Sequence, residues 1–292
     1  MDWFDEKLKA LENERNFKLR VFRRIIDEKG NPIPRNPAKL KAEKAKFLKS
    51  KKLALIGRPS EQKKRSYSGG LPLLPSEIAW PMVDETPFVF VCQIDLSEIS
   101  IEDKFKWMPD KGTIFFFVAP STCDETAPEL FRVIHSFDST DHQHPLPVGG
   151  APPYPRFDFT FESDFTYDLE FSASALQHDD QVEFDNWAYE VNAAIKSHTK
   201  WQLDGWPCDL QSNKDMPRIC EMRYRNLTDD DRGVLKSQNF SNSLADWVFI
   251  GRVHRTGLDS PWAHYHCGYF WVRKSDAKRG DFSKVMFFTQ SD

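Results

Sequence analysis

The chain has 292 residues, 40% apolar and 29% charged, which is enough for one large domain or two small ones and is not the composition of a disordered chain. No stretch approaches the ~18 consecutive apolar residues of a membrane-spanning helix. Met1-Asp2-Trp3-Phe4-Asp5-Glu6 has no basic segment leading into an apolar run, so no secretory leader is expected.

The five cysteines, Cys92, Cys123, Cys208, Cys220 and Cys267, are odd in number and show no Cys-x-x-Cys spacing. That argues against a disulfide framework or a structural zinc site and for a reducing, cytoplasmic setting. The net charge of −4 conceals an asymmetry. Residues 1–65 hold 20 Lys/Arg and 9 Asp/Glu, a balance of +11, which leaves 20 and 35, a balance of −15, for residues 66–292. Three readings stay open: the basic arm packs on its own acidic body, a partner docks on the acidic body, or nucleic acid docks on the arm.

In chain order, residues 2–28 read as an amphipathic helix, with Phe4, Leu8, Leu11, Phe22 and Ile25 near one face and Gly30 and Pro32 ending it. A second helix is expected after Asn36, a capping residue followed by Pro37, and runs to about Lys52 with Leu40, Phe47 and Leu48 as its narrow apolar stripe. From Leu53 the pattern turns to β. Strands are expected at 87–96, 112–118 and 131–137, then a Pro-, Gly- and His-rich loop over about 138–156, then an exposed-face strand at 157–161. Residues 180–197 fit a helix. With 24 Phe, 9 Trp and 7 Tyr, the body favours pleated surfaces.

The later half echoes the earlier one. Ser68-Gly69-Gly70-Leu71-Pro72 is echoed by Leu203-Asp204-Gly205-Trp206-Pro207, and Phe90-Val91-Cys92-Gln93-Ile94-Asp95 by Phe249-Ile250-Gly251-Arg252-Val253-His254. A glycine-led strand follows each, from Gly112 and from Gly268, and a further strand follows that. The expected fold is therefore α+β: a large aromatic-rich antiparallel β body built of two similar modules, about 66–137 and 203–290, with N-terminal helices. Residues 1–52 form a basic helical segment and 53–292 the β-rich domain.

These residues carry a resemblance to the YwqG-like family, a domain of unknown function. Gly69-Gly70-Leu71-Pro72-Leu73-Leu74-Pro75, Trp80-Pro81, Gln93-Ile94-Asp95-Leu96 and Gly112 to Phe117 stand where that family shows its turn, Trp-Pro, Gln-Ile-Asp/Asn-Leu and Phe-rich strand. Gly205-Trp206-Pro207, Gln211, Trp262, Gly268-Tyr269-Phe270-Trp271 and Gln290 resemble its later segments. The chain departs from the pattern at Gly251-Arg252-Val253-His254, where the family usually has Gln followed by an acidic residue. The resemblance covers roughly residues 53–292 and implies many antiparallel strands with flanking helices. It implies no reaction.

Chemistry-bearing motifs are sparse. His264-x-His266-Cys267 and Asp141-His142-Gln143-His144 offer about two metal ligands each, so no metal site and no cofactor is expected. Most of the cysteines lie in or beside apolar strands, the setting of inert buried thiols. Ser68-Gly69-Gly70 lacks the Gly-x-x-x-x-Gly-Lys of a phosphate loop and reads as a tight turn that lets the backbone pass close to a neighbour. Residues 36–65 carry basic side chains from Lys39 to Arg65, but aromatics that could stack on bases are scarce there, Phe47 standing at helical spacing on the core-facing stripe, which favours a solvated or internally paired face over nucleic acid. No catalytic residue is assigned. The expectation is a non-enzymatic, cytoplasmic protein that binds another protein, of the bacterial immunity type that occludes a basic toxin, with no membrane partner. The alternative is a small-ligand binder or enzyme with a pocket between the modules. Ser68, Trp80, Gln93, Asp95, Gln211 and Trp262 are the candidate binding residues.

Overall fold

A computed structural model describes residues 35–100, 105–120, 131–138, 140–168, 171, 173, 176, 178–196, 201–207, 216–227, 241–254 and 267–290. The helix expected over residues 2–28, the His264-x-His266 pair, and the candidates Gln211 and Trp262 lie outside them. Two compact units divide the chain: Met1–Phe47 with Ser172–Tyr189, and Leu48–Phe171 with Glu190–Asp292.

In the first unit, helix α1 (Pro37–Lys49) packs against helix α2 (His178–Lys196). Asn36 caps α1, its Oδ1 accepting the Lys39 N–H at 3.0 Å. Phe47, fully buried, meets Phe184 and Trp187 edge-on at 5.7 and 5.4 Å. Arg35 pairs with Asp180 and Glu183, and Lys44 with Glu183. Part of the basic segment is thus matched by an acidic helix from the middle of the same chain. Helix α1 stops at Lys49 rather than Lys52 because the first strand has already begun there.

The second unit holds strands β1 (Lys52–Pro59), β2 (Tyr67–Ser68), β3 (Met82–Val83), β4 (Thr86–Pro87), β5 (Val89–Asp95), β6 (Thr113–Val118), β7 (Phe131–Ser136), β8 (Phe157–Thr166), β9 (Trp201–Leu203), β10 (Trp247–His254), β11 (Cys267–Arg273) and β12 (Met286–Gln290). It also holds helices α3 (Met216–Tyr224), α4 (Ser241–Ala245) and α5 (Lys274–Ala277). The protein is α+β with an antiparallel β body. One sheet runs β7-β6-β5-β2-β8-β1-β9 and another β10-β11-β12, while β3 and β4 make a short hairpin. Just past β9, the Asp204 N–H donates to Phe249 O at 2.9 Å and brings β10 alongside.

Outward from the central β8–β1 pair, both halves follow one plan: β2, β5, β6, β7 on one side and β9, β10, β11, β12 on the other. They also share a bulge. Pairing skips a residue between Phe90 and Cys92 opposite Phe117 and Phe116, and between Phe249 and Gly251 opposite Trp271 and Phe270. Each half has a left-handed pair straight after its short strand, Gly69-Gly70 (φ 68 and 67) and Asp204-Gly205 (φ 55 and 79). The Gly69 N–H donates to Val91 O at 2.9 Å, as Asp204 does to Phe249. Gly268 pairs with Val253 while Ile114 pairs with Ile94. By register, then, Gly268 occupies the place of Ile114, two residues away from the Gly112 that spacing suggested.

The inner faces of the halves meet in one core. Phe116 and Phe270, at equivalent positions, pack at 5.0 Å, Phe131 and Phe287 at 5.8 Å, and Trp201 lies 4.8 Å from Phe116. Each such ring contributes on the order of 2–3 kcal/mol by leaving water. The outer face of the first half, with Phe90, Phe115 and Phe117, is covered by residues 71–88 through Leu73, Leu74, Trp80 and Phe88. That of the second, with Phe249, Tyr269 and Trp271, is covered by Met216 and Cys220 of α3. Strand β8 pairs with β1 and β2 on its two sides, and over residues 157–161 it buries Phe159 fully while Asp158 and Thr160, on the opposite face, stay partly exposed. Among the described residues no helix is long and apolar enough to cross a membrane.

Candidate protein-docking surface

A glutamine inside an apolar strand must find partners for its amide or give up the solvation it loses. Gln93, fully buried on β5, does so across two loops: Oε1 accepts the Leu73 N–H at 2.8 Å and Nε2–H donates to Arg65 O at 2.7 Å. Tyr67 on β2, also fully buried, donates its hydroxyl to Leu71 O at 2.6 Å, and burial pushes its phenol well above the ordinary range. Trp80 donates Nε1–H to Phe88 O at 2.8 Å and sits edge-on to Phe117 at 5.4 Å. These bonds fix the 71–88 segment as a cap over the outer face.

A second segment, the loop leading into β8, docks on the first. The His144 N–H donates to Pro72 O at 2.8 Å and its ring lies 5.6 Å from Trp80. The Gly70 N–H donates to Tyr154 O at 2.7 Å. Arg156 places its guanidinium 3.5 Å from the Tyr67 ring centroid and bonds Asp158.

Arg65 ties both segments to the sheet. Its Nε–H donates to Asp95 Oδ2 at 2.5 Å, Nη1–H to Asp141, and Nη2–H to Thr140 O at 3.2 Å. Burial works against the Asp95 carboxylate, but Ser97 and Arg65 together outweigh it and hold its pKa below the usual carboxylate range. The Glu98 carboxylate accepts the backbone N–H groups of Arg65 and Ser66 at 2.9 and 2.7 Å. Ser68, nearly buried, pairs with Cys92 and Phe157 in the ladder between β5 and β8.

Ser68, Trp80, Gln93 and Asp95 therefore come together in the first half, as supports beneath the cap. Arg65, Glu98 and Arg156 complete the set and carried no signal in the sequence beyond their charge. At the position equivalent to Gln93, the second half has Arg252, which is buried. Gln93→Leu keeps the volume but strands the Leu73 N–H and Arg65 carbonyl. It is expected to cost about 2 kcal/mol or more, at no less than about 1 kcal/mol for each orphaned group, read as a lower urea midpoint with unchanged slope.

The cap presents a mixed surface. Val148, at the tip of the turn closed by Gly150 N–H to Pro147 O, is 99% exposed, and Met82 on the β3–β4 hairpin is 43% exposed. Glu77, Asp84 and Glu85 are exposed on the same segment as Met82, and Asp141 on the same docked loop as Val148. Among the described residues no group of three His, Cys, Asp or Glu side chains is placed to hold a metal ion. The Asp141–His144 loop spends His144 on Trp80 and on Pro145 O. Cys92 and Cys220 are buried, and burial pushes both thiols well up, away from the thiolate that nucleophilic chemistry requires.

The model of a family described as a domain of unknown function, DUF1963, matches residues 66–290. No curated protein matches the chain.

Proposed function

We propose, starting from the fact that the chain belongs to the DUF1963 family, that it works as a cytoplasmic, non-enzymatic binding protein that docks a basic protein partner on the cap of its first half. The observation that carries this reading is a braced support whose two surface segments each expose an apolar side chain together with carboxylates and, over residues 71–88, no basic residue. Gln93, Trp80, Tyr67 and Arg65 hold the cap from below, while Met82 is exposed on the segment that also exposes Glu77, Asp84 and Glu85, and Val148 on the loop that exposes Asp141. Fixed apolar anchors within a charged rim are how protein interfaces gain affinity without an ordering cost.

The charge supports the same reading. Residues 66–292, nearly the span of the family match, carry the acidic balance of 20 Lys/Arg against 35 Asp/Glu. An acidic face steers a basic partner and sets the salt dependence of the encounter. The motif order, from Gly69-Gly70 through Gln93-Ile94-Asp95 to Gly268-Tyr269-Phe270-Trp271, places the chain in our reading with YwqG-like proteins. Within binding proteins, the role that suits an acidic, motif-poor body is immunity by occlusion of a toxin.

The test is co-purification from the native cell, including the product of the adjacent gene, at low and high salt. One stoichiometric basic partner, released by salt, is expected. Val148→Asp and the pair Asp84→Lys with Glu85→Lys should each weaken that complex by at least about tenfold, the scale of one lost interface anchor, without lowering the melting temperature. A protein that stays alone at low salt, or a complex indifferent to all three substitutions, would overturn the reading.

A further inference from the structure

His135 stands on β7 with its ring half-buried and Nε2 2.9 Å from Lys111 O. A carbonyl only accepts, so Nε2 carries the ring proton and Nδ1 presents a lone pair. That Nδ1 is sealed from solvent and has no hydrogen-bond partner.

Glycines border both nitrogens. A Cβ at Gly112 (φ 104) would stand 2.6 Å from Nε2, and one at Gly280 (φ 74) 2.7 Å from Nδ1. Gly280 belongs to the turn after α5, in the second half of the body. The Gly280 N–H donates to Ala277 O at 2.8 Å and the Asp281 N–H to Asp276 O at 3.0 Å, which closes that turn. Phe282 follows, 4% exposed in the core shared by the halves, with its ring 5.7 Å from the imidazole. Phe137 covers the imidazole edge-on at 4.6 Å. Strand β7 of the first half and residues 278–282 of the second thus meet through this ring.

Charged side chains on the surrounding segments are Asp110 and Lys111 before β6, Arg132 and Asp138 on and after β7, and Asp276, Lys278, Arg279, Asp281 and Lys284 from α5 to β12. None of these side chains bonds the ring. Arg279 pairs with Asp276, Asp281 Oδ1 accepts from Ser283, Arg132 lies over Phe88 and Lys284 over Tyr224. An imidazolium here would have no carboxylate bonded to it and no acceptor for its second N–H. Burial accordingly pushes the His135 pKa below the ordinary histidine value, with the Lys111 carbonyl opposing.

We propose that His135 is an acid-released latch: the neutral ring holds residues 278–282 on β7, and a proton on Nδ1 frees them and opens the seam between the two halves there. The new N–H would need water, and Gly280 stands where that water must come. The turn therefore has to lift. The latch lies on the seam and does not depend on the protein-docking reading.

Hydrogen exchange of the full chain, corrected for its intrinsic pH dependence, is followed from about pH 7.5 to about pH 5, a window that spans the ordinary imidazole pKa. The contact is fully present above the pKa of the released ring and weakens as pH falls toward that of the closed ring. The Gly280 and Asp281 amides should therefore lose protection below about pH 6.5, by up to about tenfold per pH unit, the slope of a single proton. Amides of the β5–β6 ladder should keep theirs. His135→Gln, whose amide keeps a donor for Lys111 O and does not titrate, should flatten the profile. NMR titration of the wild-type ring should give a midpoint below about 6.5. The latch is overturned by undiminished protection at Gly280 and Asp281 in the wild type, or by the same loss in a folded His135→Gln protein. A loss shared equally by the β5–β6 ladder, or a midpoint at or above about 6.5, would overturn it as well.

Discussion

Gly251→Ala is expected to destabilise the protein by about 3 kcal/mol or more, a cost of overpacking at a site with no room to relax. A Cβ at this position would stand 2.3 Å from Trp201 Cζ2 and 2.6 Å from Cε2, well inside contact distance. The indole cannot retreat. Trp201 is 1% exposed, is held against Phe116 at 4.8 Å and stacks on Phe270 at 6.3 Å. Gly57, its ladder partner on β1, lies so close to the base of the residue that a Cβ there would stand 3.2 Å from the Trp201 Cβ and backbone, which fixes where the side chain starts. Replacing glycine by alanine also stiffens the unfolded chain, which favours folding by about 0.4–1 kcal/mol, too little to offset the clash. A shift of that size should lower the melting temperature by roughly 6–12 °C, at about 2–4 °C per kcal/mol for a domain of this size. The double substitution Gly251→Ala with Trp201→Phe should be less destabilised than the sum of the two, by at least about 1 kcal/mol, since neighbours that share a clash are not additive. Strict additivity would mean that the glycine answers to something other than the ring.

That relation between Gly251 and Trp201 shows where sequence reading ends. By strand order the equivalent positions in the first half are Cys92 and Ser66, so the bulky side chain sits on the bulge strand in neither half and on the short strand in only one. A sequence displays Gly251 as a departure from a motif. Only the fold reveals that the departure makes room for an indole. The strands themselves were legible because aromatic runs bounded by turn residues have few other ways to bury their rings. Strand β1 blurred into the end of α1, since Lys-Lys-Leu suits either element, and β8 was legible only as far as Phe161 because Glu162-Ser163-Asp164 interrupts its alternation before the strand ends at Thr166. Spacing misaligned Gly112 with Gly268 because the loops between strands differ in length, whereas the bulges and the left-handed pairs give the register directly.

The candidate residues were legible in kind but not in role. A polar side chain in an apolar strand signals either a lined cavity or a brace, and the two differ only in what the amide or carboxylate touches. Gln93 touches two backbone groups and Asp95 touches Arg65 and Ser97, contacts between segments far apart in sequence. Val148 and Met82 drew no notice in the sequence, because an apolar residue shows its value as an anchor only through its exposure.

The diglycine turn offers a test that separates sterics from backbone conformation. Gly69→Ala is expected to cost about 3–4 kcal/mol and Gly70→Ala only about 1 kcal/mol. Both residues lie in the left-handed region, φ 68 and 67, where any L side chain costs about 1–2 kcal/mol. At Gly70 little is added, for a Cβ would meet Arg156 side-chain carbons at 3.4 Å, an ordinary contact. At Gly69 it would stand 2.1 Å from the Pro155 carbonyl oxygen and 3.0 Å from that of Tyr154. These are backbone atoms, so relief requires moving the loop, and moving the loop breaks the bond from the Gly70 N–H to Tyr154 O. Loss of that one bond adds about 1 kcal/mol, and the displaced loop carries Val148 and Asp141 with it. Gly69→Ala should therefore lower stability and also weaken any partner held by the cap, whereas Gly70→Ala should leave binding intact. Chemical denaturation of both variants, followed by affinity measurement on whichever remain folded, decides it. Equal losses of stability would mean that the left-handed backbone alone governs the turn, and that the crossing of 154–155 over Gly69 contributes nothing to holding the cap.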